Sequence, residues 1–444
     1  MSNHPQALVL GLGLSGEAAS RLLAAEGWQV TAVDVADTPI LQARARALRV
    51  LGVTVHLSVH ELPQAEWGMA VPSPGLPPDS AWLSGLRARG VPLIPEFELG
   101  WSRFRGRTIA VTGSNGKSSV VKWLADALGQ AGLRAVAVGN IGLPVCTAVL
   151  ADPPPDWLVI EVSSFQLEQA QAFRPDIGVL LNLVPNHLDR HGTFDRYVAA
   201  KARLFDPAAG AATAILPLDW SSRLAGSGAR PRLTFGASPA ADFHYDQGLV
   251  WQGGQPGVDL RDTYFGNDVL GVNAAAGVAA LASAGVTLDC AIRAARAFVP
   301  LPHRMQEVAA WRGVRFINDS KATTLSALSA ALAMSGGKAH LIAGGRLKET
   351  DLAGPKKMLV EHAAAVYLVG EAADQFAHAW ADAVPCVMCG RLADAVPRAA
   401  AAARTGETVL LSPGCASFDQ FASYAERGDQ FRHAVLEWIR NNEP

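Results

Sequence analysis

RTIAVTGSNGKSSVVKWLADALGQAG, Arg107 to Gly132, decides how the rest of the chain is read. The apolar run TIAVTG ends in a glycine turn and passes into a long helical segment, the order of elements in a phosphate-binding loop. The spacing departs from the common form, which puts four residues between its first glycine and the GK[ST] triplet. Here Gly113 and Gly116 enclose only Ser114 and Asn115. The physical parts are nonetheless all present. Backbone amides from Gly113 to Ser119 and a helix N-terminus face an anion, the Lys117 ammonium reaches terminal phosphates, and the Ser118 hydroxyl is placed to hold Mg²⁺. A shorter loop changes how phosphates are wrapped and removes none of these groups.

Outward from this strand the chain alternates strands and helices. ALVLGLGLSGEAASRLLAAEGWQVTAVD, Ala7 to Asp34, runs strand, glycine turn, amphipathic helix, strand, which is a βαβ unit. Its GLGLSG, Gly11 to Gly16, has the GxGxxG form, and Asp34 closes the next strand where a ribose-binding acid belongs. Taken alone this predicts NAD or FAD, but the glycines fix only a diphosphate and leave the nucleotide open. A third block carries the apolar runs VRFIND, KAHLIAGG, AAVYLVG and ETVLLSPG with Ala-rich helices between them. Pro92 and Pro95, then Pro300 and Pro302, mark the joints.

A chain of 444 residues exceeds one core at roughly 100–200 residues per domain. The expected architecture is α/β with three domains: a Rossmann-like amino-terminal domain over residues 1–95, a central P-loop ATPase-like domain over 96–299, and a Rossmann-like carboxy-terminal domain over 300–444. The Gly- and Pro-rich stretch from about Pro217 to Asp268 predicts a small β appendage on the central block.

Lys and Arg number 38 against 40 Asp and Glu, so no global field recruits nucleic acid or an anionic membrane. Five cysteines, with no secretory leader, predict a reducing cytosol, and the lone CVMC pair Cys386/Cys389 reads as packing. VLGVNAAAGVAALASAGVTL, Val269 to Leu288, carries no charge over a length that could span a bilayer; its Ala and Gly content and Asn273 predict a buried helix instead.

Metal ligands for the loop are sought downstream. Glu161 ends the apolar strand of VIEVSSFQLE, where a carboxylate reaches Mg²⁺ across a sheet edge. NHLDRHGTFDRYVAAKARLF holds His187, Asp189, His191 and Lys201. The His187/His191 spacing imitates a zinc helix, but the Glu of HExxH is missing and Gly192 follows at once.

TGSNGKSS, GNIG, EVSSFQLE, NHLDRHG with YVAAKARLF, LPHR, NDSKATT and LSPGCASFDQFASYAERGDQF stand in the order seen in the Mur ligases. The chain resembles that family over essentially its whole length, and the forms NDSKAT and LSPxxASxDQF point to a member that takes D-glutamate. The resemblance implies a UDP-binding first domain, an ATP-binding second and an amino-acid-binding third. It implies amide formation between UDP-N-acetylmuramoyl-L-alanine and D-glutamate through an acyl phosphate and a tetrahedral intermediate, with two Mg²⁺ ions, in a cytoplasmic monomer.

Residue by residue, it implies Lys117 on the β/γ-phosphates, Ser118 and Glu161 on one Mg²⁺, His187 on the second, and Lys201 as a carbamylated lysine. Arg304, Asp319 and Lys321 are implied contacts to ATP phosphate and ribose. Thr323, Lys348, Ser417 and the backbone of Tyr424 are implied for the two carboxylates of D-glutamate, and Leu14, Ser15, Asp34, Ser73, Asn140 and Ser163 for the UDP precursor. Where the family often has GxHNxxN, Val272 replaces His and Ala276 the second Asn, leaving Asn273 for adenine. Catalysis would bring the second and third blocks together about a hinge near Phe298 to Pro302. A sister Mur ligase, folylpolyglutamate synthase, an NAD oxidoreductase and an idle nucleotide-binding scaffold are the competing readings.

Overall fold

The computed structural model describes residues 5–77, 79–206, 210–224, 231–349 and 351–443. Among these, the strands form three sheets of four, nine and six strands.

The first sheet contains β1 (Gln6–Leu10), β2 (Gln29–Val33), β3 (Thr54–His56) and β4 (Met69–Pro72), ordered β3-β2-β1-β4 with every pair parallel. A parallel sheet needs cover on both faces, and β1 shows how that is met. Ala7 and Val9 enter a core with Leu22 and Leu23 of the helix Leu14–Ala25, while Leu8 and Leu10 face Leu83 and Leu86 on the other side.

The second sheet holds β5 (Arg107–Thr112), β6 (Ala135–Gly139), β7 (Trp157–Glu161), β8 (Ile177–Leu180), β9 (Thr213–Pro217), β10 (Arg232–Gly236), β11 (Phe243–Asp246), β12 (Leu249–Gln252) and β13 (Gln255–Asp259). Its order is β13-β12-β11-β10-β9-β8-β5-β7-β6. The stretch read as an appendage therefore continues the central sheet: β10 pairs parallel with β9 and β11, and only β12 runs antiparallel to its neighbours β11 and β13. Residues 225–230 of that stretch lie outside the described residues. Most of the charge-free segment lies in the helix Asp268–Ser283, capped by Asn267 and buried from Leu270 to Leu281 except at Val272. Among the described residues no helix is long and apolar enough to cross a membrane.

The third sheet comprises β14 (Gln306–Trp311), β15 (Val314–Asn318), β16 (Ala339–Gly344), β17 (Ala363–Val369), β18 (Cys386–Gly390) and β19 (Thr408–Leu411) in the order β14-β15-β19-β16-β17-β18, parallel except for β14. Cys386 and Cys389 sit on the edge strand β18, and all five cysteines are free thiols.

Contacts divide the chain into two units. One contains residues 1–183 and 195–298, and the other residues 184–194 and 299–444. The border at Phe298 and Val299 falls at the proline-marked joint.

Candidate active site

In the first unit, β5 delivers the chain into the short loop and the helix Lys117–Gln130. Gly116 has φ +83°, and an ideal Cβ there would stand 2.5 Å from Asn273 Nδ2, so both the backbone and the space demand glycine. The Lys117 ammonium donates to Gly113 O at 2.8 Å and Ser114 O at 3.0 Å, folded over its own loop.

Ser118 and Glu161 meet behind the loop. β5 and β7 pair in parallel with Val111 opposite Glu161, which brings the strand-end carboxylate beside the helix start. Ser118 Oγ donates to Glu161 Oε2 at 2.6 Å, and Asn140 Nδ2 donates to Glu161 Oε1 at 2.8 Å. Ser118 and Glu161 are buried. A hydroxyl and a carboxylate are hard oxygen donors, the set that suits Mg²⁺, which takes one or two protein ligands and completes its shell with water and substrate phosphate. Among the described residues, no three of His, Cys, Asp and Glu gather into a group that could hold a metal ion. One hydroxyl and one carboxylate, beside a phosphate loop, fit a metal shared with a phosphate ligand.

Lys201, on the helix Phe194–Ala202, is 2% exposed. Its Nζ donates to Thr112 Oγ1 at 3.3 Å and lies 4.8 Å from the centre of the Tyr197 ring. Burial, and then the Lys117 charge, push this amine well below the usual lysine range, opposed by Glu161. The arrangement favours a neutral amine, the form that can react with CO₂.

Two residues that the motifs did not single out hold the loop. Asn182, just past β8, accepts from Asn115 N at 2.8 Å and donates to Asn115 O at 3.0 Å, so that its carboxamide pairs with the loop as another strand would. The same Nδ2 donates to Asn273 Oδ1 at 3.1 Å, and Ser114 N donates to Asn182 O at 2.9 Å. Tyr197 OH shares a 2.8 Å hydrogen bond with Ser114 Oγ. Asn273, expected at adenine, is thus tied behind the phosphate loop.

On the first sheet, Asp34 accepts from Leu12 N at 2.7 Å and from Ala36 N at 2.9 Å, pinning the glycine turn. Gly16 permits the helix to approach: a Cβ there would stand 1.9 Å from Gly11 O. Leu14 is exposed at the start of its helix, with Ser15 beside it. Ser73 follows β4, where its N donates to Leu10 O at 2.8 Å. Ser163 caps the helix Ser164–Gln169 in a capping box with Gln166, so its hydroxyl already has a structural task.

His187 falls in the second unit, at φ 54°, where its carbonyl accepts from Arg190 N and His191 N. In the same unit, Asp319 is buried past β15 and accepts from Met305 N at 3.2 Å and Ser412 Oγ at 3.0 Å; it does not cap a helix. Burial raises this carboxyl to about 7, against those hydrogen bonds and the Arg304 charge. Lys321 Nζ lies 5.2 Å from the centre of the Tyr424 ring.

Loops following three neighbouring strands carry the remaining expected residues. Arg346 and Ala416 pair their backbones at 2.9 and 3.0 Å, which sets the Lys348 and Ser417 segments side by side, and Gly414 N donates to Ala322 O beside Thr323. Carboxyl ends of parallel strands are where α/β sheets bind ligands.

A phosphate loop backed by a strand-end carboxylate, on a chain with three α/β sheets, is the form of a Mur ligase. Residues 111–256 match the Mur ligase middle domain, and residues 303–415 match the Mur ligase glutamate ligase domain. The UDP-N-acetylmuramoylalanine--D-glutamate ligase of Nitratidesulfovibrio vulgaris strain Hildenborough is 40% identical over 97% of this chain and 95% of its own. The enzyme of that name from Acidobacterium capsulatum is 37% identical over the same shares. The chain belongs to the UDP-N-acetylmuramoylalanine--D-glutamate ligase family of Mur ligases.

Two solved structures share the fold. The MurF ligase of Thermotoga maritima, in complex with ADP, aligns at a TM-score of 0.62 with 15% identity, covering 94% of this chain and 96% of that one. The UDP-N-acetylmuramate-alanine ligase MurC of the same organism aligns at 0.61 with 16% identity over 99% and 100%.

Proposed function

We propose that the protein is an ATP-dependent ligase that joins D-glutamate to UDP-N-acetylmuramoyl-L-alanine in peptidoglycan precursor synthesis, working as a cytoplasmic monomer. The observation that carries this reading is the Ser118–Glu161 pair against the phosphate loop, in a chain of this family. A carboxylate is a poor electrophile at neutral pH. Transfer of the γ-phosphoryl group of ATP to the precursor's carboxylate gives an acyl phosphate, the D-glutamate amine attacks its carbonyl carbon, and phosphate leaves from the tetrahedral intermediate.

The loop amides and Lys117 bind and orient the phosphates, and Asn140 holds Glu161 in place. Mg²⁺ bound at Ser118 and Glu161 would offset the crowding of negative charge. A second site would use His187 and Lys201 as its carbamate. To form that carbamate the neutral Nζ attacks CO₂, an N–C bond forms as one C–O π bond opens and a proton is released, turning a neutral amine into an anionic oxygen ligand. The low basicity of buried Lys201 supports this step.

Residues 1–95, 96–299 and 300–444 are assigned to precursor, ATP and amino acid. Leu14, Ser15, Asp34, Ser73, Asn140 and Ser163 are assigned to the first ligand, and Thr323, Lys348, Ser417 and Tyr424 to the third. Arg304, Asp319 and Lys321 are offered to the nucleotide. Phosphate release from ATP, measured with UDP-N-acetylmuramoyl-L-alanine and each candidate amino acid in turn, tests the proposal. D-glutamate alone is expected to drive it, and release driven by another amino acid instead would overturn the reading.

A further inference from the structure

Arg427, on the helix Tyr424–Asn441, is 2% exposed. Its Nε donates to Ser320 Oγ at 3.0 Å, and its Nη2 donates to Ser320 O at 2.8 Å and to Cys415 O at 3.1 Å. Ser320 Oγ passes the contact on, donating to Tyr424 O at 2.7 Å. Ser320 follows β15 and Cys415 follows β19. Gly345 follows β16, and an ideal Cβ on it would stand 3.2 Å from Arg427 Nη1. One planar fork therefore bonds to the segments after β15 and β19 and lies beside Gly345 after β16.

Among the described residues Nη1 of this guanidinium has no hydrogen-bond partner, and the carboxylate that acts on its charge is that of Asp419. Burial pushes it down to about 10, so it remains a cation at neutral pH. An apolar side chain of similar volume would hold a packed position without the desolvation cost of a buried charge. Both the charge and the fork have a use at this place in the fold. The three loops are those that carry Thr323, Lys348 and Ser417, and the fourth contact reaches the backbone of Tyr424. An acceptor with two carboxylates needs these donors in fixed register and a positive field beneath them.

We propose that Arg427 is a positioning residue of the amino-acid site, setting the register of the three loops and supplying buried positive charge for a dicarboxylate. This rests on the assignment of Thr323, Lys348, Ser417 and Tyr424 to D-glutamate.

The test is steady-state phosphate release by the full chain, with KM measured separately for ATP, UDP-N-acetylmuramoyl-L-alanine and D-glutamate. Arg427→Met is expected to raise KM for D-glutamate by about tenfold or more, the scale of hydrogen bonds from a charged group, and to leave the other two within about twofold. Arg427→Lys, which keeps charge and loses the fork, should recover part of the loss. Ser320→Ala should move the same constant by a smaller factor, and these two milder variants decide the matter should Arg427→Met not fold. An unchanged KM for D-glutamate in both, or a parallel change in all three constants together with a lower Tm, overturns the proposal. Failure of the underlying assignment reads differently: the unsubstituted protein itself would release no phosphate with D-glutamate.

Discussion

Ser118 Oγ and Glu161 Oε2 stand 2.6 Å apart, joining the first turn of a helix to the end of a strand 43 residues further on. The bond places a hydroxyl and a carboxylate on the same side of the phosphate loop, and Asn140 holds the carboxylate's second oxygen. Glu161→Gln keeps the shape and removes the charge. Phosphate release is expected to fall by about 10²–10³-fold, the scale of losing a preorganised electrostatic group. Activity measured across a magnesium titration checks this, and full recovery at high magnesium would count against it.

Lys201→Ala should abolish turnover, with partial rescue by formate or acetate, which can place an oxygen ligand in the vacated space. The stability effect runs the other way. Burial holds the folded-state amine well below the lysine range, so the unfolded chain takes up this proton more readily than the folded chain does, which costs stability wherever the amine would otherwise be charged. That penalty is largest below the unfolded pKa of about 10.4 and fades as pH rises towards it. Lys201→Met should therefore raise Tm in carbon-dioxide-free buffer at pH 7, with a smaller gain at pH 10. Equal Tm values at pH 7 would refute the burial argument.

Asn182→Asp changes one atom at the back of the loop. The new oxygen would face Asn115 O in place of a 3.0 Å donor contact, turning attraction into repulsion. KM for ATP should rise by about tenfold or more, read from phosphate release at saturating levels of the other substrates. Constants for the UDP precursor should stay put.

Asp319 gives a pH signature in the second unit. Its folded pKa of about 7 lies above the ordinary aspartate value of 3.8, so the folded chain binds the extra proton between these values and stability drains away as pH rises through them. Asn at this position carries no such dependence. Asp319→Asn should gain on the parent protein from pH 4 to pH 7 and hold a constant advantage above, at most about 4 kcal/mol. Paired urea titrations at each pH measure the difference, and parallel curves would exclude the effect.

Local pattern made the loop, the strand-end Glu161 and the helical Lys201 legible, because strand, turn and helix follow one another in the chain. Asn182 and Arg427 were not legible in that way. Asn182 owes its place to register: β5 and β8 pair with Thr112 opposite Leu180, which sets Asn182 against the loop from another strand. Arg427 bonds to Ser320, 107 residues earlier in the chain, a contact no local pattern announces. Asp34 and Ser163 had a ligand-side reading from their motifs, yet each makes hydrogen bonds within the protein that pattern alone does not reveal. The Gly- and Pro-rich stretch read as a small β appendage on the central block, and its strands join that block's sheet through the pairing of β9 with β10, a register the broken apolar pattern does not specify.

The Asn182 carboxamide has one further consequence. Because the loop is shaped partly by a neighbour that it does not itself encode, its sequence is not a portable module. Grafting GSNGKSS onto another strand and helix would transplant the anion donors without the clamp that orders them, and the recipient would have to import an amide at the matching rung of the next strand as well.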